Sequence, residues 1–268
     1  MDYTLIRASR KSISISIRDA VVVVRAPHRA AKSEIDQFVE SKQRWITSKL
    51  ALAQEAAAKR QQFVITYGSM LLWRGQEYPL LGDSPTKCTW RDDQGFHMPP
   101  GCDEPTLKHN VIRLYKSCAK PFLTQRVTHF AKVVGQMPAS VTITQAMSRW
   151  GSCSAVTHRT PINLDGTAPR GSGHASILGR THSPRTTSLT SSSTSTEKTY
   201  RLNFSWRLCM AEDDIIDAVV VHELAHTKHM NHSAAFYALV RATLPDYDAR
   251  HAQLRLLSQR LGCEDWSL

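Results

Sequence analysis

The sequence predicts an α+β fold, on three observations. Strand-like and helix-like segments fall in blocks rather than in strict alternation. Ser12-Ile13-Ser14-Ile15-Ser16-Ile17 alternates with period two, which marks a strand with one apolar and one polar face. Ile215, Ile216, Ala218, Val219 and Val220 lie in an apolar run, Asp213 to Lys228, whose spacing fits a helix with a buried side.

Taken in order, residues 3 to 25 read as two or three strands, with Val21 to Val24 the most buried, ended by Pro27. Ser33, with Asp36 three residues on, resembles a capping box with Asp in place of Glu. A long helix is expected from there to Gln61, with Ile35, Phe38, Val39, Trp45, Ile46 and Leu50 as its apolar stripe. Phe63 to Met98 reads as strands broken at Gly68, Gly75, Gly82 and Gly95. Pro99-Pro100-Gly101 is a break and a candidate boundary between an N-terminal lobe, 1–100, and a second domain, 101–268. A second long helix is expected over Glu104 to Val134, bent at Pro121. A strand follows at Val141 to Thr144, then a turn at Arg149 to Ser154, a strand at Tyr200 to Leu208, the apolar helix and two C-terminal helices. Between the turn and that last strand, 166–199 is rich in Ser and Thr and poor in bulky apolar residues. Such a segment buries too little to offset its ordering entropy, so a disordered insertion is expected.

Composition narrows the function classes. The chain has 34 basic and 23 acidic residues, a net charge of +11, which favours polyanions such as nucleotides or nucleic acid. No nucleic-acid-binding motif accompanies that charge. The first residues carry no apolar core of signal-peptide length, and no stretch approaches the ~20 apolar residues that span a bilayer. A cytoplasmic location with no membrane partner is the expectation. Six scattered cysteines without a C-x-x-C pair read as reduced thiols. Cys153 is expected to be a packed small residue.

The chemistry is concentrated in His222-Glu223-Leu224-Ala225-His226, an H-E-x-x-H motif. Residues four apart share a helical face, so two imidazoles there can grip one Zn²⁺, and the intervening Glu is placed to deprotonate a water at the metal. A zinc site that does chemistry needs a third protein ligand. His229 lies roughly 10 Å along the axis from His222, too far to share the ion well. His232 follows Met230-Asn231, where the helix can end and the chain turn back, and is the expected third ligand. Asp246 or Glu264 are more distant alternatives. Ser233 reads as the N-cap of a helix over Ala234 to Thr243.

These residues resemble the YgjP-like metallopeptidase domain family, whose relatives include the SprT-like and WSS1-like zinc peptidases. The likeness rests on Val219 to His226, on Asn231-His232-Ser233 with Phe236, on Arg149-Trp150-Gly151-Ser152-Cys153-Ser154 and on Leu202 to Leu208. Arg7 to Ile15, Val22 to Pro27 and Gly75 to Leu80 extend it into the N-terminal part. The resemblance implies a zincin-like fold, zinc on His222, His226 and His232, and Glu223 as the catalytic acid/base. The insertion departs from the family pattern. In a zincin arrangement an edge strand borders the cleft, and either Met147 to Ser154 or Tyr200 to Leu208 is expected there, open to an extended peptide.

The expected function is a zinc-dependent peptidase acting on peptide or protein. Arg149, Tyr237, Tyr247 and Arg250 are the candidates for stabilising the developing oxyanion. Two other readings are a metal-dependent nucleotide phosphohydrolase, favoured by the net charge but lacking a Gly-rich phosphate loop, and a non-catalytic nucleic-acid-associated binding module.

Overall fold

A computed structural model describes residues 2–18, 20–85, 88–161 and 194–267. Of the expected insertion, 166–193 lies outside the described residues. The fold is α+β and divides into two compact units, each drawn from several stretches of chain.

The first unit comprises 1–114, 210–212 and 248–268. It opens with β1 (Thr4–Ala8), β2 (Ser14–Arg18) and β3 (Val21–Pro27) in a sheet ordered β1-β3-β2. Val22, Val24 and Ala26, alternate residues of the central strand, form one core with Ile35, Val39 and Ile46. The expected single helix is two: α1 (Lys32–Ser41) and α2 (Gln43–Gln61), separated at Lys42 with φ −104° and ψ 7°. The expected capping box is absent. The N-cap is Ala31 without a side-chain bond, and the Asp36 carboxylate accepts instead from Lys32 and Tyr3. Trp45 is also corrected, being 45% exposed rather than part of the buried stripe.

β4 (Met70–Trp73) and β5 (Gln76–Leu81) form a hairpin whose two loop residues, Arg74 and Gly75, both have positive φ, 49° and 79°. That is the geometry of a two-residue hairpin turn whose twist matches its strands. β6 (Trp90–Arg91) and β7 (Phe96–His97) complete a sheet ordered β4-β5-β7-β6. α3 (Glu104–Val134) begins in this unit and continues into the second. Asp103 caps it by accepting from Thr106 N at 3.0 Å, and Gly135, at φ 74°, ends it. Pro121 lies inside without interrupting it. α6 (Tyr247–Leu261) starts at the last residue of the second unit and otherwise belongs to the first.

The second unit holds Tyr115–Cys209 and Asp213–Tyr247. Its sheet contains β8 (Ser140–Thr144), β9 (Gly151–Pro161) and β10 (Thr194–Ser205), ordered β8-β10-β9. The middle strand runs parallel to β8 and antiparallel to β9. Two sequence expectations change here. The Arg149 to Ser154 segment is strand from Gly151 onward rather than a turn. The strand expected at Tyr200 to Leu208 instead starts at Thr194 and ends at Ser205, where Trp206–Met210 tightens into a 3₁₀ turn. Leu202, Phe204 and Trp206 are fully buried, which anchors that turn in the core.

α4 (Asp213–Ala225) follows, then α5 (Ala234–Thr243). α4 is helical although Val219, Val220 and Val221 are weak helix formers. Ten of its residues are buried, and tertiary burial outweighs intrinsic propensity. Asp213 and Asp214 in its first turn also suit the positive end of the helix dipole. Among the described residues, no helix is long and apolar enough to cross a membrane.

Candidate metal centre

The site is built at the C-terminal end of α4. His222 and Glu223 are in its last turn, and Ala225 ends it three residues earlier than the apolar run suggested. His226 therefore lies in the turn that follows, where its Nδ1 donates to the carbonyl of His229 at 3.1 Å. A carbonyl only accepts, so Nδ1 carries the proton and Nε2 keeps a free lone pair. Burial holds the His226 pKa below its usual value, against the carbonyl bond that raises it, and favours the same neutral form.

The chain then turns back, as the Met230-Asn231 pair suggested. Ser233 caps α5 by accepting from Phe236 N at 3.4 Å, which sets His232 just ahead of the helix. His222, His226 and His232 each offer one donor atom, all within 4.8 Å of one another. The Nε2 atoms of His222 and His232 stand 3.0 Å apart. Two facing nitrogens at that distance need a proton or a cation between them. Phe236, fully buried, lies behind the triad with ring centroids 4.9, 4.6 and 4.9 Å from His222, His226 and His232. It gives the three imidazoles a common apolar backing. The His229 ring is not part of this group; only its carbonyl is used.

Tyr247 places its hydroxyl 2.8 Å from His222 Nδ1. It had been expected as a possible oxyanion stabiliser, and the structure instead puts it behind a candidate ligand. With Nδ1 so engaged, Nε2 of His222 faces the other two rings. Tyr237 stacks near His232 at 6.1 Å, with Arg241 over its ring at 5.3 Å. Arg250 falls in the other unit.

Glu223 is 6% exposed, and its carboxyl makes no hydrogen bond to a described residue. Burial pushes its pKa up to about 7, opposed in part by the Arg149 guanidinium. The backbone of Gly151 closes over it: a β-carbon built there would stand 2.6 Å from Glu223 Cγ. Cys153, two residues along the same strand, has its thiol pushed up to about 11 by burial and by Glu223, which suits a packed, protonated side chain. Deeper in α4, Asp217 is buried and held by Arg126 of α3 through two bonds, Nε to Oδ1 at 2.7 Å and Nη2 to Oδ2 at 2.5 Å. Sequence reading missed this clamp. The partners are 91 residues apart, and nothing in either local pattern points to the other.

The YgjP-like metallopeptidase domain pattern matches residues 11–165 and 170–256. The chain belongs to that family. No curated protein and no solved structure matches it. The YgjP-like family suggests a metal-dependent peptidase, and membership implies a metal ion. The residues present fit one. Three imidazoles converge, those of His222 and His226 have Nδ1 turned away and hydrogen-bonded, and an apolar ring closes the space behind them.

Proposed function

We propose that this YgjP-like chain is a zinc-dependent peptidase, with His222, His226 and His232 as ligands and Glu223 as general base. The observation that carries the reading is the convergence of three imidazole donors within 4.8 Å beside a buried carboxyl that makes no hydrogen bond among the described residues. Tetrahedral zinc, with Zn–N of about 2.0–2.1 Å, wants donors roughly 3.4 Å apart, and small ring movements would reach that spacing. Zinc held there supplies Lewis acidity toward water and toward a peptide carbonyl.

The residues of the chain do the rest. Glu223 takes a proton from the attacking water and returns it to the departing amine. Its burial strengthens it as a base, because a desolvated carboxylate binds a proton more tightly. Among the described residues β9 pairs only with β10, whereas β10 is paired on both sides. Of the two strands expected at the cleft, β9 therefore keeps the free edge. An extended peptide can add to it through main-chain hydrogen bonds, with Gly151 bringing the cut bond to Glu223. A cytoplasmic, reducing setting suits the six free cysteines.

The test is metal content and turnover together. Purified wild type should hold about one zinc per chain, His232→Ala should lose it, and Glu223→Gln should keep zinc but cut no peptide. Unchanged peptide cleavage by Glu223→Gln, or hydrolysis of nucleoside triphosphates with none of peptides, overturns the reading.

A further inference from the structure

We propose that a pocket on the opposite face of β9 from Glu223 is a subsite for a substrate carboxylate, held by Arg149 and Ser152. The proposal rests on the peptidase reading and names the substrate class for that site.

The pocket encloses about 130 Å³ and lies within the second unit. Side chains alternate across a strand. Gly151 faces Glu223, so Ser152 points to the other face, as does its paired residue Asn203. An extended chain added along the free edge of β9 would alternate in the same way. Where one residue meets Glu223, its neighbour turns toward this pocket. The pocket therefore reads the side chain or terminus next to the cut bond.

Its polarity selects the ligand. Arg149 is the one ionised side chain in the lining; its charge also reaches the Glu223 carboxyl, but it makes no hydrogen bond or ion pair with a described residue. Ser152 Oγ accepts from Asn203 Nδ2 at 3.3 Å, which leaves its own hydrogen to donate. The other two hydroxyls are already spent, Ser205 on the carbonyl of Ala146 at 2.9 Å and Thr144 on that of Phe204 at 3.3 Å. The guanidinium fork and the Ser152 hydroxyl bring free donors to the lining, where Asn203 Oδ1 is the side-chain carbonyl acceptor. A carboxylate matches that set, because it accepts two parallel bonds from a guanidinium and donates none. The carboxylate can come from an Asp or Glu side chain or from a peptide C-terminus.

The test is peptide binding to the Glu223→Gln protein loaded with zinc, read by fluorescence anisotropy without turnover. One probe set is synthetic decapeptides with amidated C-termini and Asp, Glu, Asn or Gln at each position. The second is neutral decapeptides with a free or an amidated C-terminus. We expect the carboxylate member of a pair to bind about tenfold tighter than its amide, in the first set for a side-chain source and in the second for a terminus. Arg149→Met in that background should reduce the preference to within about twofold, and Arg149→Lys should restore part of it. Ser152→Ala serves as a second, smaller lesion and should lower the preference without abolishing it. Equal binding of carboxylate and amide peptides, or a preference that survives Arg149→Met, overturns the subsite. A preference that behaves as expected, in a wild-type protein that cuts none of these peptides, overturns the peptidase reading instead and leaves the subsite standing.

Discussion

Gly151 and Glu223 are in contact through the place where a side chain would be: a methyl group on Gly151 would lie 2.6 Å from Glu223 Cγ and 2.7 Å from Oε1. Gly151 is held by its pairing in β9, so it is the far end of the Glu223 side chain that must yield. Gly151→Ala should therefore push the carboxyl out of place while leaving the three imidazoles alone. Turnover should fall by ~100-fold, the cost of misplacing a reacting group by about 1 Å, with zinc content unchanged. Loss of zinc in that variant would mean that the strand itself had moved.

Tyr247 reaches the site through its hydroxyl, 2.8 Å from His222 Nδ1. Removing its hydroxyl in Tyr247→Phe leaves Nδ1 of that ring without its partner, so ring orientation and tautomer are less fixed. Zinc affinity should drop by about 10- to 100-fold in a chelator competition, with the thermal midpoint of the metal-free protein little changed. An unaltered affinity would show that Phe236 packing suffices to hold the ring.

The Arg126–Asp217 clamp joins a buried carboxylate to a partly exposed guanidinium, and removing the arginine leaves the Asp217 charge uncompensated inside α4. Arg126→Ala should lower the unfolding free energy by about 3–5 kcal/mol in urea. Replacing both partners by Leu should recover most of that loss, because the desolvation cost goes with the charges. A double variant no better than the single one would assign the loss to packing of the arginine stem.

His97 carries a pH-dependent contribution to the first unit. Its Nδ1 lies 2.8 Å from Asp83 and its Nε2 2.9 Å from Asp92, and Trp90 stacks on the ring at 4.6 Å. Burial disfavours charge on this ring, but the hydrogen bonds and charges of the two carboxylates outweigh it, and the pKa is raised above 6.5. The His97 bond, with the backbone N–H groups of Gln94 and Gly95, holds Asp92 at about 2, down from 3.8. A raised histidine stabilises fully below its unfolded pKa and ceases to as pH rises through its folded one. A lowered aspartate stabilises above its unfolded pKa and ceases to as pH falls through its folded one. Both contributions are complete only between about 3.8 and 6.5. The urea midpoint of wild type should exceed that of His97→Gln most in that window, and the gap should narrow at higher pH. A gap that is constant with pH would leave the histidine neutral throughout.

Local chemistry made much of this protein legible. The H-E-x-x-H spacing on an apolar run, the break at Met230-Asn231 and the Ser233 cap were enough to bring three histidines together. Each of those steps acts over one or two helical turns. α3 was also expected over Glu104 to Val134, the span it occupies. Boundaries that depend on neighbours were not. Lys42 splits a run rich in good helix formers, and Asp36 takes a lysine and a tyrosine instead of its own backbone. β10 extends to Thr194 because β9 is there to pair with it, a contact the sequence does not announce.

By itself, the sequence pointed to His222, Glu223, His226 and His232 as the candidate site and to the helix that bears the first two, because periodicity and capping are properties of adjacent residues. Tertiary structure alone decided what surrounds them: the glycine against Glu223, the tyrosine behind His222, the arginine on Asp217 and, among the described residues, a β9 paired on one side alone. Those partners come from distant stretches of chain. Their meeting is fixed by how the sheet and helices bury their apolar faces together, which no local pattern encodes.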